Sequence, residues 1–232
     1  MQVRTVVGIA SIAVTCVAAS RAHAGFPALN VQWKLNGAVV LNDLPSGVPN
    51  GLGGYQYIGG HSVGQVLMTY NLLGIPDPRI SGNFTLENFS PETVEVELLV
   101  TLPISGSVSA PSSLTGSVAV GMTADADGGT LAVLQGVPFW QGLIDGTAVG
   151  DLLSDLSLVR PSLGSVASND GFVQLPGPEA LSEIGIRITF SLTAGEQMSV
   201  TSVFNVVPAP GGLVVFVLAT VVLRRRRRAR QR

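Results

Sequence analysis

The chain has 232 residues, of which 46% are hydrophobic and 12% charged, and it contains one cysteine. This length suits one β-rich domain or two small ones with a hydrophobic core, and a lone cysteine excludes a disulfide framework within the chain. All 15 acidic residues but only four basic ones lie in residues 25–206, so this segment carries a net charge of −11 while the whole chain has −2. An acidic surface disfavours binding to polyanions such as nucleic acid and favours solubility or divalent cations.

Residues 1–24 have the layout of a secretory signal peptide. Arg4 precedes a short run of small and apolar residues, and the segment closes on Ala22-His23-Ala24. A basic start, an apolar middle and an A-x-A end are the features of such peptides, so we expect a signal helix that is cut after Ala24. A buried N-terminal helix is the alternative, and it fits less well because the apolar run is short and follows a positive charge.

Alternation of apolar and polar residues predicts β-strands in the acidic segment. Every second residue of Ile184–Leu192 is apolar, and Thr93–Val100 shows the same alternation. A period of two is typical of an antiparallel strand with one buried face. Further strands are predicted at Val31–Leu35, Val66–Tyr70, Ile80–Leu86, Ser117–Met122, Leu131–Val137 and Met198–Val206.

Clusters of glycine, proline, asparagine and serine separate these strands and predict loops. The main clusters are Leu44–Gly54, Pro103–Gly116 and Asn169–Pro178, and single helical turns are predicted near Asp151–Leu158 and Glu179–Ile184. Many short strands separated by such clusters favour an all-β fold, namely an antiparallel β-sandwich or jelly-roll-like domain.

The sequence GHSVG at Gly60–Gly64 matches the G-x-S-x-G turn that presents a nucleophilic serine in lipases and esterases. Ser62 would need one imidazole to take its proton and an acid to orient that imidazole. Once the signal peptide is removed, the sole histidine is His61, directly before the serine. The residues that follow favour a strand, whereas the motif requires a helix. We therefore interpret Gly60–Gly64 as a glycine-rich loop and expect no catalytic residue and no enzyme.

The sequence DADGG, which begins at Asp125, resembles half of a calcium-binding loop. The later positions of an EF-hand do not follow, because threonine and glycine stand at Thr130 and Gly136 where the motif needs glycine and glutamate. We expect a β-hairpin turn in which Asp-Gly supplies a positive φ. Calcium bound by Asp125 and Asp127 is the alternative, and no other cofactor is expected.

Two more sets of residues could act on a carbohydrate. The spacing of Asp145, Asp151 and Asp155 does not distinguish a glycosidase pair from solvated loop charges. Trp33 and Trp140 could stack on sugars, but two tryptophans in a β domain are expected in the core. A carbohydrate-binding module would need an exposed aromatic platform on one sheet face.

The end of the chain combines an apolar run with a cluster of arginine. Leu213–Leu223 is an apolar run with no charged residue, and Arg224, Arg225, Arg226, Arg227 and Arg228 follow it. A helix over this run would be about 17 Å long, against a hydrocarbon core of roughly 30 Å. Extension back to Val206, with arginine stems reaching the interface, makes a short transmembrane helix feasible. The arginines are expected to stay cytoplasmic and to halt export, and a nucleic-acid patch is the alternative.

This ending resembles the PEP-CTERM sorting signal of bacterial exosortase substrates. A Pro-x-Pro box at Pro208, Ala209 and Pro210 precedes the apolar run and the arginines, and alanine stands where the common form has glutamate. The stretches ISGNFTLENFSPETVEVELLVTLPI and IRITFSLTAGEQMSVTSVFNVVPAP are similar to segments of exported PEP-CTERM proteins of planctomycete-like bacteria. The resemblance implies export, transient retention in the inner membrane, and cleavage at the box by exosortase, a membrane protease resembling a transpeptidase. It also implies a surface or matrix product linked to exopolysaccharide.

The sequence therefore predicts a signal peptide at 1–24, an acidic β-rich extracytoplasmic domain at 25–206 and a sorting tail at 207–232. The expected function is that of a non-enzymatic cell-surface or matrix protein, with a carbohydrate-binding module as the alternative and a secreted hydrolase as the more distant one. The expected partners are exosortase, the inner membrane and surface polysaccharide, but not nucleic acid.

Overall fold

A computed structural model describes residues 28–51, 53–75 and 78–209 of the protein. These ranges contain strands, turns and irregular segments but no helix, so the all-β prediction is confirmed for them. The helical turns expected near Asp151–Leu158 and Glu179–Ile184 are wrong, since strands and turns occupy both places. The expected signal helix and C-terminal helix lie outside the described residues. Within the described residues, no helix is long and apolar enough to cross a membrane.

Fifteen strands follow one another in the described part of the chain. They are β1 (Asn30–Leu35), β2 (Ala38–Asp43), β3 (Val48–Pro49), β4 (Tyr55–Val63), β5 (Val66–Ile75), β6 (Arg79–Asn88), β7 (Val94–Pro103), β8 (Ser112–Ala124), β9 (Gly129–Ala132), β10 (Trp140–Ile144), β11 (Thr147–Leu152), β12 (Ser157–Arg160), β13 (Gly164–Gly177), β14 (Glu183–Leu192) and β15 (Gln197–Pro208).

The strands form two antiparallel sheets. The seven-stranded sheet has the order β13-β8-β15-β6-β5-β4-β3. The eight-stranded sheet has the order β11-β10-β14-β7-β1-β2, with β9 pairing to β14 and β12 pairing to β9. The register of β14 on β7 sets Phe190 opposite Val96 and Ile188 opposite Leu98, which places their apolar side chains on one face.

The inner faces of the two sheets share one hydrophobic core. Burial alternates strictly along β8, and its buried positions join those of β14 and β15 in the same cluster. The Trp140 ring of β10 lies 5.8 Å from the Phe204 ring of β15 and 6.0 Å from the Phe172 ring of β13. Because these contacts join residues of different sheets, the sheets pack face to face.

Glycine makes room for one of these rings. A Cβ atom at Gly116 of β8 would lie 2.6 Å from Phe172 Cζ, and one at Gly150 of β11 would lie 2.7 Å from the same atom. Real Cβ atoms do not approach so closely, so the Phe172 ring fits between the two strands only because both positions lack a side chain. The edge strand β13 is held to the opposite sheet in this way.

The sequence prediction located β7, β14 and β15 well and underestimated other strands. The predicted strand Leu131–Val137 ends at Ala132, because Val137 N–H donates to Leu134 O at 3.0 Å in a turn. The loop predicted at Asn169–Pro178 is wrong, since most of it belongs to β13. This edge strand exposes both of its faces over Asp170–Leu175, apart from Phe172, so its sequence lacks the alternation that marks a half-buried strand.

The last strand carries the chain to the edge of the expected sorting box. Val207 pairs with Ser113 and Pro208 pairs with Ser112, and Ala209 N–H donates to Pro111 O at 3.1 Å. Pro208 and Ala209 are therefore held against β8, whereas Pro210 and the arginines from Arg224 to Arg228 lie outside the described residues. The proposed cleavage residues Ala22 and Ala24 also lie outside them.

Candidate functional site

The residues of the GHSVG motif are in a strand and not in a catalytic turn. Gly60, His61, Ser62 and Val63 belong to β4, so the loop expected there is wrong, and Gly64 begins a two-residue turn to β5 with φ +57°. Successive side chains of a strand point to opposite faces. Ser62 is exposed on the outer face, while the His61 ring packs edge-on against the buried Trp33 ring at 6.0 Å. His61 therefore cannot take a proton from Ser62 in this arrangement.

The turn at Asp125–Gly129 connects the two sheets. β8 belongs to the seven-stranded sheet and β9 to the eight-stranded sheet, so the hairpin expected here is wrong. The expected positive φ is confirmed at Gly128, which has φ +79°. Asp125 Oδ1 accepts the Asp127 N–H at 2.9 Å, a local contact that shapes the turn. The same turn residues serve a hairpin or a crossing between sheets, and sequence alone did not separate the two.

A second carboxyl group, which sequence reasoning missed, lies beside Asp125. Glu196 precedes β15 and is only 1% exposed, and neither of its carboxylate oxygens has a hydrogen-bond partner. Burial raises the pKa of Glu196 above its ordinary value, and the negative charge of Asp125 raises it further. The backbone amide of Asp125 offsets part of this rise, although it does not reach hydrogen-bond geometry.

Two glycines enclose this carboxyl pair. A Cβ atom at Gly195 would lie 2.5 Å from Asp125 Oδ2, and one at Gly129 would meet the carboxyl group of Glu196. Gly195 also has φ +80°, a conformation that glycine adopts without strain. The backbone thus approaches both carboxyl groups closely, and a side chain at either position would displace one of them.

Asn88 fixes the turn that carries Glu196. Asn88 N–H donates to Glu196 O at 2.9 Å, and Gly195 N–H donates to Asn88 O at 2.8 Å. The fully buried Asn88 amide also donates to the carbonyl oxygens of Glu92 and Thr193, both at 2.9 Å. Because a buried amide with several partners is strongly oriented, the turn between β14 and β15 is held rigidly beneath the carboxyl pair.

The three aspartates considered for glycoside hydrolysis have separate structural surroundings. Asp145 occupies the tip of the β10–β11 hairpin and accepts hydrogen bonds from Leu181 N, Ser182 N, Ser182 Oγ and Glu183 N at 2.7–3.0 Å. Asp151 accepts one from Gln141 Nε2 at 3.1 Å across the hairpin. Asp155 lies in the turn between β11 and β12. No carboxylate pair across a cleft is formed by these three residues.

The two tryptophans are in the core, as expected. Trp33 and Trp140 are both fully buried, so neither can stack on a sugar. Among the described residues, the one strongly exposed phenylalanine is Phe89, at 62%, in the turn after β6. The described surface therefore offers no aromatic platform of the kind that the carbohydrate-binding alternative requires.

The outer face of the seven-stranded sheet is instead rich in hydroxyl and amide groups. We call the polar uncharged residues at outward positions of four central strands the hydroxyl–amide face: Thr69 and Asn71 of β5; Ser81, Asn83 and Thr85 of β6; Ser113, Thr115, Ser117 and Thr123 of β8; Gln197, Ser199, Thr201 and Asn205 of β15. Apolar residues, among them Leu67, Leu73 and Val203, alternate with them on the same side of the sheet. The charged residues at outward positions of these strands are Arg79 and Glu87, at opposite ends of β6. By contrast, the eight-stranded sheet carries the Lys34–Glu97 ion pair, 2.8 Å long, on its outer face.

Hydrogen bonds order part of the hydroxyl–amide face. Gln56 Nε2 donates to Asn71 Oδ1 at 2.9 Å, and Thr201 Oγ1 donates to Asn83 Oδ1 at 2.8 Å. An open groove of about 320 Å³ runs over this part of the sheet, and Gln56, Asn71, Ser81 and Asn83 contribute to its lining. The groove is shallow and carries polar groups that a ligand could reach.

Comparison with known proteins gives little further information. No family model matches the chain, and no curated protein matches it. Among solved structures, the chain is similar to the enzymatically active domain of tailspike protein 4 from bacteriophage CBA120, with a TM-score of 0.31 and 14% identity. The match covers 68% of this chain and 20% of the tailspike chain, and it does not establish a shared activity.

Proposed function

We propose that this chain is an exported, non-enzymatic protein of the cell surface or extracellular matrix, built as a β-sandwich that contacts polysaccharide. The single observation that carries this proposal is the hydroxyl–amide face, which is broad and almost free of charge although the segment around it carries a net charge of −11. In this proposal the sorting tail directs the domain to the cell surface, and the hydroxyl–amide face contacts the polysaccharide.

The chemistry of the face suits neutral sugars. Hydroxyl and amide groups both donate and accept hydrogen bonds, as sugar hydroxyls do. Asn71 and Asn83 are already oriented by Gln56 and Thr201, so less side-chain entropy would be lost on binding than for free side chains. A charged face would instead select a charged ligand. The carbohydrate-binding alternative thus becomes part of this proposal, with a polar face in place of an aromatic platform.

The sequence signals support delivery to the outside. The segment 1–24 resembles a signal peptide, and the order of Pro-Ala-Pro box, apolar run and arginine cluster resembles an exosortase sorting signal. The box begins at Pro208, where β15 ends, so the folded domain would stand directly outside the membrane while the tail is held. Exosortase and the inner membrane are partners only before processing.

Co-sedimentation with exopolysaccharide from the source cells tests the binding step. We expect the purified protein to sediment with the polymer and the Asn71→Ala/Asn83→Ala variant to lose most of this binding. Gln32→Ala is the matched control, because it removes an amide from β1, in the other sheet. Equal binding by the parent and the double variant, or no binding by the parent, would contradict the proposed function.

A further inference from the structure

The negative charges of the carboxyl pair Asp125–Glu196 are not balanced by a cationic side chain among the described residues. Glu196 is 1% exposed and neither oxygen accepts a hydrogen bond, although buried carboxylates normally accept several. Asp125 adds a second negative charge next to it. Two neighbouring carboxylates are stable only if a cation or a proton lies between them. Arg160 and Arg187 form no ion pair with either group, since Lys34–Glu97 is the one ion pair between described residues.

We propose that Asp125 and Glu196 bind a calcium ion at the junction of the two sheets. The ligand atoms would be the unpartnered Glu196 oxygens and Asp125 Oδ2, since Asp125 Oδ1 already accepts the Asp127 N–H. Hard oxygen donors of this kind select calcium or magnesium over transition metals, and the irregular turn suits the flexible coordination of calcium. Asp127 supports the turn through its backbone and is not a ligand in this arrangement.

The remaining ligands come from the backbone and from water. Within residues 28–51, 53–75 and 78–209, no three acidic, histidine or cysteine residues are grouped so that they could hold a metal ion. Calcium takes six to eight oxygen ligands, so two carboxylates need help from carbonyl oxygens and solvent. Gly129 and Gly195 allow the backbone to come close to the pair. A site with only two charges is expected to be weak, with a Kd of about 10⁻⁴ to 10⁻³ M, the range of extracellular calcium modules.

The ion would join parts of the chain that are distant in sequence. Asp125 begins the crossing from the seven-stranded sheet to the eight-stranded sheet, and Glu196 lies in the turn between β14 and β15, which again crosses between the sheets. Through its hydrogen bonds, Asn88 also connects the turn after β6 to the turn that carries Glu196. Calcium bound there would therefore stabilise the folded protein by linkage, because the unfolded chain does not hold these residues together.

Thermal unfolding of the full-length chain in detergent tests this site. Between buffer with chelator and buffer with 10 mM calcium, we expect the melting temperature of the parent to rise by about 3–10 °C. Glu196→Gln keeps the shape of the side chain but removes its charge, so it should be at least as stable as the parent in chelator and should not respond to calcium. Asp127→Asn, in the same turn, is the control and should respond as the parent does.

Titration calorimetry supplies a second readout that does not depend on variant stability. One calcium per chain is expected for the parent and for Asp127→Asn, and none for Glu196→Gln. No calcium response in the parent would overturn the proposal and would leave a protonated Glu196 as the explanation of the pair. A response of Glu196→Gln equal to that of the parent would also overturn it, as would a response to magnesium alone.

Discussion

Trp140 of the eight-stranded sheet donates its indole N–H to Ser202 Oγ of the seven-stranded sheet at 2.6 Å. Both residues are buried, so this hydrogen bond joins the two sheets inside the core. The bond satisfies the one polar group of a large apolar side chain, which is how a tryptophan is accommodated in a core.

Replacing Ser202 with alanine should therefore destabilise the protein. The indole N–H of Trp140 would remain buried without a partner, which costs about 1–3 kcal/mol. Ser199→Ala is the matched control, because Ser199 lies on the exposed face of the same strand, and its effect should stay within about 0.5 kcal/mol. Urea unfolding measures the free energy of unfolding of both variants. If the two variants are equally stable, the bond between the sheets contributes nothing.

The close packing of the Phe172 ring against Gly116 and Gly150 gives a second prediction. Gly116→Ala would place a Cβ atom 2.6 Å from Phe172 Cζ and 2.8 Å from Trp140 Cη2, and such overpacking costs about 1–3 kcal/mol. Gly121→Ala in the same strand would meet Ser199 Oγ at 3.5 Å, an ordinary contact, and should be neutral or stabilising. The difference in urea midpoint between the two variants is the relevant measurement. Equal midpoints would mean that the ring does not need the glycine.

Asp145 should contribute a pH-dependent part of the stability. Partial desolvation opposes ionisation, but hydrogen bonds from Leu181, Ser182 and Glu183 outweigh it and lower the pKa of Asp145 from 3.8 to about 2. A folded-state pKa below the unfolded value means that the stabilisation is complete above pH 4 and is lost as the pH falls through about 2.

Asp145→Asn keeps the turn but removes the charge. Because Asp145 is exposed and its interactions are screened, we expect a loss of about 1 kcal/mol at pH 7. The difference between parent and variant should shrink as the pH is lowered from 4 to 2, as measured by unfolding at each pH. A difference that stays constant over this range would exclude the charged form of Asp145 as its source.

The contacts of the last residues of β15 indicate where the folded domain ends. Val207 and Pro208 pair with Ser113 and Ser112, and Ala209 N–H bonds Pro111 O. A chain of residues 25–209 should therefore unfold cooperatively and show a β-type circular dichroism spectrum. A chain of residues 25–206 should have a lower melting temperature, because it loses these contacts. Identical melting curves would show that the last three residues do not belong to the folded unit.

The strands that could be predicted are those in which every second residue is apolar and packs on the core. In β7 burial alternates without a break, and in β14 every second residue is apolar and buried, although Gly185 and Thr189 between them are buried as well. β4 was missed because its glycines read as a loop, although Gly59 is required where the Tyr70 side chain crosses the strand. β13 was missed because an edge strand with two exposed faces has no such period.

The carboxyl pair could be predicted only in part. Asp125 stands out because a run of aspartate and glycine is a local pattern. Glu196 is distant in sequence and follows a threonine-alanine-glycine turn like many others, so only the pairing of β14 and β15 with the remaining strands brings it to Asp125. Local sequence patterns do not record contacts of this kind.

The most direct test of the proposed function is the mass and location of the protein in cells that produce it. The parent should be found outside the inner membrane, with its N-terminus at Gly25 and its C-terminus shortened to the region of Pro208–Pro210. Changing Arg224–Arg228 to serine should release an uncut form that keeps its apolar tail, because arginines no longer halt export. Pro208→Ala/Pro210→Ala should leave the full-length form in the inner membrane. A parent that stays full-length inside the cell, or two variants that are released and trimmed like the parent, would contradict the proposal that this chain is a sorted surface protein.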